Sequence, residues 1–112
     1  MKTASLTSQV THKDNKPHIQ ALLETPFSKE IRIVFKKGQI MKEHSAHTPI
    51  VVEIFKGEID FGVNNEIHQL TEGDILTLNG KVPHDLKATK DSIVRLSLSK
   101  KDAVERVFSV IR

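Results

Sequence analysis

The chain has no cysteine, no tryptophan and no tyrosine, and its only benzenoid aromatics are five Phe. Without Cys there is no disulfide framework, no thiolate zinc site, no iron–sulfur cluster and no Cys nucleophile. Without Trp or Tyr to stack on bases, and with no basic run longer than the pairs Lys36-Lys37 and Lys100-Lys101, no nucleic-acid partner is expected. No apolar run approaches the ~20 residues of a membrane-spanning helix. The polar stretch from Thr3 to Lys16 offers no apolar segment of a Sec-type signal, so the expected location is cytoplasmic, with no membrane partner. Against these absences stand six His. Any metal ion would have to be held by imidazole or carboxylate.

The 112 residues suffice for one domain with a short tail at either end, and 38% apolar with 28% charged residues is the balance of a globular chain with one modest core. Seventeen basic and fourteen acidic residues give a net charge of +3, read as a solvated mixed surface.

Residues 1–17 are rich in Ser, Thr, Lys, Asn and Gln and close on Pro17, which predicts a flexible N-terminal arm or an added edge strand. From residue 18 to residue 98, short apolar runs alternate with turn chemistry, the pattern of an all-β sandwich or barrel. Ile31, Ile33 and Phe35 alternate with Arg32, Val34 and Lys36, and Ile59, Phe61 and Val63 alternate with Asp60 and Gly62. Asn64-Asn65 suits a tight hairpin turn. Gly38, Gly57, Gly73 and Gly80 each stand where a strand reverses and positive φ is needed. In the tail the period changes: Ser99 and Asp102 resemble a capping box, and Val104, Val107, Phe108 and Ile111 fall on one helical face, predicting an amphipathic helix over 99–112.

Two segments stand out by spacing. The first runs from Gly38 through His44, His47 and Glu53 to Gly57; the second runs from Gly73 through Asn79 and Pro83 to His84 and Ala88. These segments resemble the two motifs of the cupin family. The first family motif reads Gly, five residues, His, one, His, three or four, Glu, six, Gly; the second reads Gly, five, Pro, one, Gly, two, His, three, Asn. Gly38, His44 and Gly57 fall in register with the first, and Gly73 and His84 with the second, with fifteen residues between Gly57 and Gly73. The resemblance implies a double-stranded β-helix, or jelly-roll barrel, over residues 18–98.

Three departures bear on function. Ala46 stands at the second His position of the first motif, Ile50 at its Glu position, and Ala88 at the Asn position of the second. Of the four ligand positions that the resemblance implies, His44 and His84 keep an imidazole. His47 lies one residue beyond Ala46; in a regular strand that slip would turn it to the opposite face, and a bulge beside Thr48-Pro49 could bring it back as a third ligand. Parity puts Ile50, Val52 and Ile54 inward and Glu53 outward, and puts His84 inward with Leu86 and Ala88. By the same parity Lys42 sides with His44, as a rim charge. His68 shares parity with Leu70 but has no ligand spacing.

The metal set expected is therefore His44, His84 and His47, holding a divalent ion such as Fe, Ni, Mn or Zn, with no organic cofactor. Such an ion would serve as a Lewis acid or oxygen-activating centre in a dioxygenase or isomerase acting on a small molecule with a hydrophobic body and one chelating end. The competing expectation is a non-catalytic small-molecule-binding or sensor barrel with a degenerate metal site. In either case the chain is expected to pair as a homodimer.

Overall fold

Nine strands form in a computed structural model that describes residues 1–100: β1 (His18–Glu24), β2 (Ser28–Phe35), β3 (Ile40–His44), β4 (Ile50–Lys56), β5 (Glu58–Val63), β6 (Glu66–Thr71), β7 (Ile75–Leu78), β8 (His84–Ala88) and β9 (Ser92–Ser99). All pair antiparallel, in a five-stranded sheet ordered β1-β2-β9-β4-β7 and a four-stranded sheet ordered β3-β8-β5-β6. The expected all-β jelly roll is what forms. The expected C-terminal helix lies outside the described residues except for Ser99, which ends β9, and Lys100. Among the described residues no helix is long and apolar enough to cross a membrane.

Alternation decides which side chains fill the space between the sheets. Ile50, Val52 and Ile54 of β4 point inward and are buried, and Leu86 and Ala88 of β8 meet them from the other sheet. Ile33, Phe35 and Phe61 complete the centre. Each such aliphatic or phenyl side chain contributes about 1.5–3 kcal/mol through its removal from water, so the core is carried by aliphatic bulk and two Phe. Glu53 points outward as parity requires, where Arg95 reaches it at 3.4 Å and Glu30 at 2.8 Å.

The turns follow their residue types with one exception. Asn64 and Asn65 both take positive φ, 52° and 62°, giving the β5–β6 hairpin the turn that fits strand twist. Gly38, Gly57 and Gly73 also have positive φ, but Gly80 does not; Lys81 takes that conformation instead, at 69°. Gly80 is required for a different reason. A Cβ there would lie 2.5 Å from the His47 carbonyl oxygen.

Residues 1–17 form no strand, yet they make specific contacts along β2. The buried guanidinium of Arg32 donates from Nη1 to the carbonyls of Ser5, Leu6 and Ser8 and from Nη2 to that of Gln9, which has positive φ. Further along, Lys36 pairs with Asp14 at 2.8 Å and the Gln39 amide donates to the Lys13 carbonyl at 2.7 Å. The face of β2 opposite the core, where Arg32 and Val34 are both buried, thus has the arm as its partner.

Candidate functional site

The two motif histidines come together through a defect in β3. Met41 pairs with Leu86 and His44 with His84, so three residues of β3 advance against two of β8. This extra residue is a β-bulge, and it changes the side of the sheet that everything beyond it faces. In a regular strand His44 would share the outward face of Ile40 and Lys42; the bulge turns it inward, with Met41, and parts it from Lys42. The bulge anticipated beside His47 lies instead between Met41 and His44.

His44 and His84 face each other with ring centroids 4.4 Å apart and planes tilted by 58°. His84 is 4% exposed and stacks on Phe61 at 5.6 Å, with an angle of 11° between the rings. His44 is exposed at the mouth. Each ring is oriented by the backbone two residues before it: Nδ1 of His44 lies 2.7 Å from the Lys42 carbonyl, and Nδ1 of His84 lies 2.9 Å from the Val82 carbonyl. A carbonyl only accepts, so each Nδ1 carries a proton, and in the neutral ring the Nε2 lone pair is left to accept a proton or meet an electrophile. Burial holds the His84 pKa below the ordinary imidazole value. The Val82 carbonyl opposes that shift, the neighbouring His44 charge adds to it, and Asp85 opposes it.

The pair forms one wall of a cavity of about 560 Å³ at the open end of the barrel. Met41, Ala46, Ile50, Leu96 and Leu98 give it an apolar floor, and Glu24, Lys29 and Lys100 belong to its rim on the five-stranded sheet. Below the imidazoles lies a void of about 20 Å³ between Val52, Leu86 and Val94. That space is enough for about one water molecule. A ligand would therefore occupy the mouth, not the barrel axis.

His47 also lines the cavity, but it is exposed, on the segment between β3 and β4. Its backbone is fixed by the close approach of Gly80 and by the Lys81 amide donating to the Ala46 carbonyl at 2.6 Å. Among the described residues, no three His, Asp or Glu side chains gather as a metal-holding group. His68 is exposed beside Glu66 at 3.4 Å. The rim residues Glu24, Lys29 and Lys100 have no motif to mark them in the sequence. Leu96 and Leu98 could have been found from their parity with Val94.

Neither a protein-family profile nor a curated sequence matches the chain. Solved structures do: an RmlC-like cupin from Desulfovibrio desulfuricans superposes with a TM-score of 0.81 at 22% identity, over 88% of this chain and 96% of that one. The fold is that of a small single-domain cupin. An RmlC-like cupin from Shewanella frigidimarina gives a TM-score of 0.75 at 23% identity, covering 91% of this chain and 96% of that one. KdgF from a Halomonas species gives 0.76 at 17% identity, covering 91% and 98%.

Cupin barrels are associated with a bound divalent ion, and the donor set can be tested for it. His44 and His84 supply two imidazole nitrogens. Ala46 and Ile50, at the remaining positions of the first motif, carry no donor atom and pack into the apolar floor and core. The residues present do not fit a closed site of four protein ligands. They fit two acceptors held side by side over an apolar surface.

Proposed function

We propose that this cupin binds a small molecule at the mouth of its barrel, with the ligand's apolar body on Met41, Leu96 and Leu98 and a polar head directed at Nε2 of His44 and His84. The observation that carries this reading is the imidazole pair itself. Two rings at 4.4 Å, each with Nδ1 bonded to a carbonyl of its own chain, present their remaining nitrogens to the same cavity. An imidazole buried only to complete a core would need no such partner across the ladder.

A second reading rests on the same nitrogens. Ligating His residues commonly donate their other N–H to a carbonyl, and here both do. A divalent ion could use the two Nε2 atoms with the rest of its shell drawn from water, the bound molecule or His47, which would make the chain a metal-dependent dioxygenase or isomerase. We also propose the homodimer as the working assembly; a light-scattering mass equal to the 12.6 kDa of one chain would overturn it.

One experiment separates the two site readings. Protein purified without a polyhistidine tag is analysed for metal, and its long-range imidazole nitrogen–proton spectrum is recorded during titration with small amphiphiles. The binding-module reading expects well under about a tenth of an ion per chain and movement of the His84 signals on titration. About one ion per chain, lost in His84→Ala, would favour the metal-dependent reading. Signals from His44 and His84 that no compound moves would count against both.

A further inference from the structure

The rim of the cavity carries charge of one prevailing sign. Lys29 and Lys100 both line it, from the start of β2 and the end of β9, and a single carboxylate, Glu24, stands between them. Glu24 is the cross-strand partner of Lys29 in the β1–β2 ladder and accepts from Lys100 at 2.9 Å. The Lys100 hydrogen bond and charge hold its carboxyl below the ordinary value; desolvation opposes this, and Lys29 and Lys2 lower it further. Two ammonium groups therefore stand beside one carboxylate on this side of the mouth. Across the cavity stand two imidazoles whose free nitrogens accept, and between the two walls lies the apolar floor.

Each of these surfaces asks for something different from a ligand. Lysines call for an anion, while a pair of accepting nitrogens calls for a hydroxyl or N–H donor. The floor of Met41, Leu96 and Leu98 calls for a short hydrocarbon. We infer that the ligand is a small aliphatic carboxylate bearing a hydroxyl or N–H donor near the acid group, its carboxylate at Lys29 and Lys100 and its donor at Nε2 of His44 and His84. This rests on the mouth being the binding site. It adds the charge of the ligand, and it gives Glu24 a role: as the carboxylate already beside Lys100, it competes with the incoming acid.

Calorimetric titration at low salt with 2-hydroxyhexanoate, hexanoate and 2-hydroxyhexanamide tests it. The hydroxy acid should bind, the amide about tenfold or more weakly, and hexanoate at an intermediate level. The double variant Lys29→Gln/Lys100→Gln should weaken the acid by about tenfold and leave the amide unchanged. Glu24→Gln should tighten the acid several-fold, a direction that mere loss of rim structure would not produce. Amide binding as tight as that of the acid, or acid binding indifferent to both lysines, would overturn the inference. So would failure of all three compounds to bind. In that last case, 1-hexanol moving the His84 imidazole signals would leave the mouth as the binding site and remove only the anion; 1-hexanol without effect would remove both.

Discussion

His84 lies flat on Phe61, ring against ring at 11°, and that stack joins the candidate site to the core. His84 is thus a packing residue and a binding residue at once. His84→Ala should open a void beside Phe61 and lower stability by about 1–3 kcal/mol, measured by urea denaturation. His84→Phe should recover much of that stability while still abolishing any response of the pocket to ligand. Equal losses of stability in the two variants would show that the ring's packing contributes little.

Acid should destabilise the barrel in two stages. For His84 the folded-state pKa is depressed by burial, so its contribution is present above the ordinary value of 6.5 and is lost as pH falls through the lower folded value. For Glu30, burial pushes the pKa upward, but the hydroxyls of Ser28 and Ser97 and the Arg95 guanidinium outweigh it. The net shift is downward, and the contribution is present above 4.5 and lost below it. Urea midpoints recorded against pH should show both steps, with His84→Asn removing the upper and Glu30→Gln the lower. A flat profile from pH 7.5 to 5 in the unaltered chain would contradict the assignment of His84.

Arg32 is the anchor of the N-terminal arm. Replacing it with Met keeps the stem that packs on the sheet but removes the donors to Ser5, Leu6, Ser8 and Gln9. The arm should then be cut by a nonspecific protease many times faster than in the parent chain, and global stability should fall by about 2 kcal/mol. Unchanged cleavage rates within residues 1–16 would show that the arm is held by something other than the guanidinium.

Gly80→Ala tests the seat of His47. The added methyl would meet the His47 carbonyl at 2.5 Å, backbone against side chain with no flexible group to yield. The segment between β3 and β4 must shift, at a cost of about 1–3 kcal/mol. Ligand response at His44 should change while His84, held from the other strand, keeps its spectrum. Full retention of both would mean that the mouth tolerates movement of that segment.

Much of this was legible in the sequence. Parity alone assigned Ile50, Val52, Ile54, Leu86 and Ala88 to the interior and Glu53 to the exterior, because side chains in regular strands alternate without fail. Motif spacing brought out His44 and His84. What stayed hidden was of two kinds. Period-two reasoning has no means of sensing an extra residue, so the bulge of β3 was missed and Lys42 was grouped with His44. Contacts between distant segments were missed as well: Arg32 with Ser8, and Lys29 and Lys100 around Glu24, leave no local trace because each side chain by itself reads as a solvated charge. Gly80 was assigned the right place for the wrong reason, since close approach of a carbonyl and positive φ both exclude a side chain and look the same in a sequence.

The bulge in β3 makes the site depend on a count as much as on chemistry. Between Ile40 and His44 the chain carries one residue more than the ladder with β8 needs, and the bulge that takes up this surplus is what keeps His44 facing His84. A deletion of one codon at Lys42 or Glu43 would straighten the ladder and still leave His44 opposite His84, whereas regular pairing of the strand at its present length would set Glu43 opposite His84 and send His44 to the outer face. Within such a barrel, gain and loss of the paired site can be separated by a one-residue slip of β3 against β8, with every histidine retained.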